Sequence, residues 1–170
     1  MRLAPRLRDD TLRVLGPDHA LTLVVLGNLA VLRARAGHAS QAAADFQQLA
    51  TDRERVLGPD DPTTLEALAN LAQLRSEAGT AEPAATTYAD LLERLLRVHG
   101  PDDQRTLGCR FGLAKCRGAA GDAAGAADAF ADLLTDVTRL HGPDHPFTAA
   151  ARQALSQAAD LRTGRSGGRR

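Results

Sequence analysis

The residues that could do chemistry are few. Cys109 and Cys116 are the only thiols, and the histidines are His19, His38, His99, His141 and His145. A thiol near Arg110, Lys115 and Arg117 could be held as a reactive thiolate. The other reading of both cysteines is a small buried hydrophobe. Within one helix, seven residues separate them by about 10 Å along the axis. A disulfide needs Cα atoms within about 7 Å, so the two do not pair, and a reduced, cytoplasmic protein is expected. Four of the five histidines flank Gly-Pro-Asp tripeptides, where they suit helix capping and loop packing. A metal would need three or four converging ligands, and the spacing offers none. Phosphate-binding loop, Gly-x-Gly-x-x-Gly and His-Glu-x-x-His patterns are all missing. The chain is read as no enzyme, with no cofactor and no metal. A catalytic role built on Cys109 or a His/Asp pair would require a closed pocket.

Whatever these residues do, repeated elements position them. Gly-Pro-Asp recurs at residues 16–18, 58–60, 100–102 and 142–144, every 42 residues. Thr22, Thr64, Thr106 and Thr148 keep the register, as do Leu29, Leu71, Leu113 and Leu155. Gly37, Gly79 and Gly121 form another column, and Phe46, Tyr88 and Phe130 a further one. Each unit reads as two helices. Asp61-Pro62 and His145-Pro146 can start a first helix. Leu23, Leu26, Leu29, Ala30 and Leu32 give one of these helices its apolar spacing, and the glycine at 37, 79 or 121 ends it. Thr80 and Asp122 suit the cap of a second helix. Arg55, Arg97 and Arg139 lie in the last turn of the second helices and complement the dipole.

Composition agrees with a packed helical array. With 44% hydrophobic residues the chain can build a core, and with 3% aromatics it lacks a base-stacking platform. Net charge is zero, which argues against binding nucleic acid by bulk charge. No run is long enough to span a membrane, and MRLAPRLRDD is no secretory signal. Arginine outnumbers lysine 20 to 1, as a GC-rich bacterial genome would dictate.

Asn28-Leu29-Ala30, Asn70-Leu71-Ala72, the turn glycines, the second-helix aromatics and the Gly-Pro-Asp boundary resemble the tetratricopeptide repeat. The form is the 42-residue one of kinesin light chains and many bacterial regulators. The resemblance implies an all-α fold, a right-handed α-solenoid of antiparallel helix pairs. It would hold three full repeats and a half repeat at each end. Residues 1–15 would end a preceding repeat, 16–57, 58–99 and 100–141 would be full repeats, and 142–162 a terminal capping helix. Residues 163–170 read as a disordered basic tail. The family's usual tyrosine is replaced by Arg33, Arg75 and Arg117, and the asparagine column lapses to Gly112 and Ala154.

The resemblance implies first helices lining a concave groove and a protein or peptide partner. First helices hold nine basic and three acidic residues, net +6, and second helices five basic and ten acidic, net −5. A basic groove favours an acidic peptide or a C-terminal carboxylate. Asn28 and Asn70 match the residues by which the family holds a ligand backbone. Arg33, Arg35, Gln73, Arg75, Arg110, Lys115 and Arg117 complete the expected partner-binding set. Arg33, Arg75 and Arg117 stand near the apolar stripe, where an unpaired guanidinium is not tolerated. They form either a ladder for acidic groups or internal ion pairs. Gly108, Gly112 and Gly118 predict a loose third unit. Two other roles stay open: the C-terminal sensor array of a larger nucleotide-switch regulator, and homo-oligomerisation through exposed array ends. An RNA-binding or enzyme-accessory role is the remaining alternative.

Overall fold

The structure, a computed structural model, describes residues 3–163. The expected tail from residue 164 onward lies outside the described residues. Eight helices and the turns between them account for the described chain, which contains no strand. They are α1 (Leu3–Leu15), α2 (Ala20–Arg35), α3 (Ala39–Leu57), α4 (Pro62–Glu77), α5 (Ala81–His99), α6 (Gln104–Ala119), α7 (Ala123–His141) and α8 (Pro146–Arg162). In the 42-residue register α2, α4, α6 and α8 are first helices and the others second helices.

Each boundary follows from the residues at it. His19, Asp61, Asp103 and His145 cap the four first helices. Each accepts a hydrogen bond from the N–H two residues on, at Leu21, Thr63, Arg105 and Phe147. A first helix ends when a glycine reverses the chain. Gly37 has φ +84°, and the His38 N–H donates back to the Arg33 carbonyl at 3.0 Å. A second helix ends in a different geometry. Gly58 has φ 98° and ψ 163°. Only glycine reaches that region, and the extended ψ is what the following proline requires. The aspartate of Gly-Pro-Asp has its own task. Arg55 holds Asp18 with both guanidinium nitrogens, and Arg139 Nη2 donates to Asp102 at 2.7 Å. The last-turn arginines therefore tie each of these helices to the tripeptide 37 residues earlier.

The chain divides into two compact units, Met1–Ala78 and Gly79–Arg170. In the first, α1 packs on α2, α2 on α3 and α3 on α4. Its core is Leu23, Leu29 and Ala30 of α2, Phe46, Leu49 and Ala50 of α3, and Leu65, Leu68 and Leu71 of α4. In the second, α5 packs on α6, α6 on α7 and α7 on α8. Its core joins Leu107 and Ala114 to Phe130, Leu133, Val137, Ala151 and Ala158. Phe111 meets Phe130 edge-on, with ring centroids 5.2 Å apart. This is the expected all-α class, an array of tetratricopeptide-like helix pairs.

Candidate partner-binding clefts

The expected binding residues separate onto two faces of the first helices. Asn28 and Arg33 are five residues apart, about 140° around a helix at about 100° per residue. Asn28, Arg35, Leu21 and Val24 lie on α2, with Asn28, Leu21 and Val24 exposed. Asn28 has no hydrogen-bond partner among the described residues, whereas Asn70 Nδ2 donates to the Glu66 carbonyl of its own helix at 3.0 Å. Gln73 Nε2 donates to Glu77 Oε1 at 2.6 Å. Lys115 is exposed on α6, as is Arg105, whose Nη1 lies 3.0 Å from His99 Nε2.

The arginine column lies on the other face, toward the second helices. Arg33 forms an ion pair with Asp45 of α3. Arg75 Nη2 donates to Gln47 Oε1, also of α3, at 2.8 Å. Arg110 Nη1 donates to Asp136 Oδ2 of α7 at 2.7 Å. Arg117 is exposed and has neither hydrogen bond nor ion pair among the described residues. The register explains the exception. Forty-two residues on from Thr87, which replaces Asp45 in the second repeat, stands Ala129, and the Gln47 column continues as Ala89 and Ala131. Both side chains that satisfy the arginines of the first unit have become methyl groups around Arg117.

Two clefts frame this difference. In the first unit a cleft of about 290 Å³ is lined by Leu12, Leu26, Leu29, Leu49, Arg33 and Asp45, with Arg8 and Asp52 among its polar edges. In the second unit a cleft of about 170 Å³ is lined by Leu92, Leu113, Ala114, Ala129, Arg110, Arg117 and Asp132. Positions 26, 29, 33, 45 and 48 of the first recur as 110, 113, 117, 129 and 132 of the second. The same site is thus built twice, once with its cation neutralised from within and once without.

The thiols do not add chemistry here. Cys109 and Cys116 are free and buried. Cys109 Sγ donates to the Tyr88 carbonyl at 3.3 Å, and burial pushes its thiol up to about 12. The neighbouring cations therefore do not make it a thiolate. The lapse of the asparagine column at Gly112 also has a local cause. A Cβ there would stand 2.5 Å from Cζ of Tyr88 and 2.9 Å from its hydroxyl.

One residue escaped the sequence reading. Arg53 of α3 is 6% exposed. Its Nη1 donates to the Thr63 carbonyl at 2.6 Å and Nη2 reaches the Leu23 carbonyl at 3.4 Å. Its Nε is buried without a hydrogen-bond partner. Burial pulls its pKa down, while Glu66 and Asp61 oppose the shift. Its column reads Arg53, Leu95, Val137, and the Gly27 column reads Gly27, Ala69, Phe111. A Cβ on Gly27 would lie 3.0 Å from Arg53 Nη2. An arginine in an apolar column, matched by a glycine in a bulkier one, was the available signal.

Among the described residues no cluster of three or more His, Cys, Asp or Glu could hold a metal ion. Nor is any described helix long and apolar enough to cross a membrane.

The tetratricopeptide repeat family model matches residues 22–63. The fold is similar to a solved structure of Podosopora anserina described as a putative kinesin light chain with nearly identical TPR-like repeats. The TM-score is 0.83 at 17% identity, covering 96% of this chain and 77% of that one. A point variant of the same repeats gives 0.85 with the same identity and coverage. BtubC (BKLC) of P. vanneervenii gives 0.66 at 17% identity, covering 88% of this chain and 66% of that one. No curated protein matches the sequence. Residues 22–63 thus match one tetratricopeptide repeat, the same register recurs every 42 residues, and the fold is similar to that of the kinesin-light-chain-like repeat structures.

Proposed function

We propose that the chain is a protein-interaction module that takes an acidic side chain of its partner in the cleft beside Arg117. The observation that carries this is the pairing of Arg33 with Asp45 against the open Arg117 beside Ala129. The Asp45 carboxylate beside Arg33, in the equivalent cleft of the first unit, supports a carboxylate as the group that Arg117 receives. At Arg117 a glutamate or aspartate of the partner supplies that carboxylate. A guanidinium is suited to hold it through two parallel N–H bonds. The leucine-lined part takes an apolar neighbour of the acidic residue. Asp132 edges the cleft as a carboxylate of the chain itself, which sets the affinity low and biases the site against extended acidic runs.

The exposed face of the first helices is a second contact region for the same partner. Asn28 and Arg35 on α2, and Lys115 on α6, offer amide and cationic groups for a peptide backbone and its charges.

The test is titration of the chain with an N-acetylated peptide alternating leucine and glutamate, followed by amide chemical shifts. Shifts centred on α6 and α7, lost in Arg117→Ala and kept in Arg33→Ala, are expected. Asp132→Asn should tighten binding. Equal loss in both arginine variants would reduce the effect to general charge, and no shift near residues 110–132 would refute the reading.

A further inference from the structure

A second contrast between the clefts concerns a carboxylate. The column of Asp52 on the second helices reads Asp52, Arg94, Asp136. The column of Leu26 on the first helices reads Leu26, Leu68, Arg110. The third repeat thus holds both members of an ion pair, Arg110 and Asp136. The second repeat holds neither in those places. The first repeat keeps the carboxylate and has a leucine where its cation would stand.

The two carboxylates are otherwise placed alike. Asp136 Oδ1 lies 3.7 Å from Arg139 Nη2, and Asp52 Oδ1 lies 3.8 Å from Arg55 Nη2. The difference is at the other oxygen. Asp136 Oδ2 accepts from Arg110 Nη1 at 2.7 Å, whereas Asp52 Oδ2 accepts from the Gln48 amide of its own helix at 3.2 Å. A neutral donor stands where a guanidinium stands in the third repeat, and charge-assisted bonds are the stronger kind. Yet the Asp52 side chain is the more buried of the two, 23% exposed against 33%. A half-buried carboxylate gains from a cation brought to it.

The cleft around Asp52 has room for one, with about 290 Å³ against about 170 Å³ in the second unit. Leu12, Leu26 and Leu29 line it and suit the methylene stem of a long cationic side chain. Arg33 in its wall is neutralised by Asp45. Arg8 on the α1 side pairs with Asp9 at 3.6 Å and is the charge that opposes an incoming cation. The cleft recurs in the second unit among α5, α6 and α7, so it belongs to the repeat and not to one end of the array.

We propose that this cleft receives an arginine side chain of a partner polypeptide, its guanidinium on Asp52 Oδ2 and its stem over the leucines. Arg110 on Asp136 is the same contact made within the chain. Arginine suits the place better than lysine, because a planar, weakly hydrated guanidinium lies on apolar surface while it donates to a carboxylate. The Gln48 amide oxygen is positioned beside Asp52 to accept a second N–H. The charge preference is opposite to that of the Arg117 cleft.

Titration of the whole chain with an N-acetylated peptide alternating leucine and arginine, followed by amide chemical shifts, tests the proposal. Shifts centred on α2 and α3 are expected. Asp52→Asn keeps the shape and should weaken binding by about tenfold or more, the scale of a hydrogen bond to a charged group. Leu26→Arg supplies the cation of the third repeat from within and should block binding, with helical circular dichroism retained. Arg8→Ala should tighten binding. Binding that survives Leu26→Arg would overturn the proposal, as would a native chain without shifts at residues 26–52. So would equal loss in Asp52→Asn and in Asp128→Asn, a change at an exposed carboxylate of α7, since the effect would then be general charge. Arg117→Ala should leave this binding intact, so either cleft can fail while the other stands.

Discussion

Arg53 concentrates the cost of building the first unit. A buried guanidinium must find acceptors, and here it finds two backbone carbonyls and a space that only Gly27 leaves open. Arg53→Leu restores the residue of the second repeat but leaves that space empty and removes the donors. Gly27→Ala alone presses on Arg53 and on Leu49 Cδ2, which would lie 3.3 Å away. The double variant should recover stability, with an interaction energy of about 0.5–3 kcal/mol in a thermal or denaturant cycle. Strict additivity would show that the two sites are not coupled. Cys109 gives a second prediction at this scale. Its thiol is held near 12 by burial, and in the unfolded chain it ionises near 9. Its raised value stabilises the fold fully below pH 9, and that contribution drains away as pH rises from 9 to about 12. The loss is at most about 1.4 kcal/mol per pH unit. Cys109→Ala should flatten that part of the stability profile. The native thiol should also resist a mild thiol reagent at neutral pH until the chain is unfolded; rapid native labelling would contradict the burial.

At the scale of the helix, two of the three glycines in α6 have opposite meanings. Gly108 faces open space, with no atom within 4 Å of a Cβ placed there. Gly108→Ala should stabilise the chain by about 0.5–1 kcal/mol. Gly112 lies under the Tyr88 ring, and Gly112→Ala should destabilise it, because a ring cannot give way as a flexible chain end can. Comparing the two melting temperatures checks both signs. The glycine content of α6 predicted looseness, and packing supplies a counterweight. Gly118 is likewise covered, by Ala126 at 3.3 Å. The helices themselves were legible because their signals are local: a cap two residues before the first bonded N–H, a glycine at the end, and a 3.6-residue stripe. The role of Asp18 and Asp102 was not legible, because their partners Arg55 and Arg139 lie 37 residues away.

Across the molecule, period was the strongest signal, since it aligns residues that must share an environment. It also carried the one contrast that separates the candidate site from its copies. Arg33, Arg75 and Arg117 are one column in sequence, yet two of them are satisfied by α3 and the third is not. Sequence could not choose between a ladder and internal pairs, because that choice depends on residues 12 and 28 positions away on another helix. It also placed the arginines and Asn28 in one groove, whereas the helix turns them to different faces.

The most direct measurement of the central claim uses the chain as its own competitor. Ala129→Asp puts into the third repeat the carboxylate that Asp45 supplies in the first. Isothermal titration with the leucine–glutamate peptide should then show binding to the native chain and loss of binding to Ala129→Asp, while its thermal melt is unchanged or raised. Peptide binding that survives in the Ala129→Asp variant would contradict the account, since it would mean that the carboxylate of the partner is not received at Arg117.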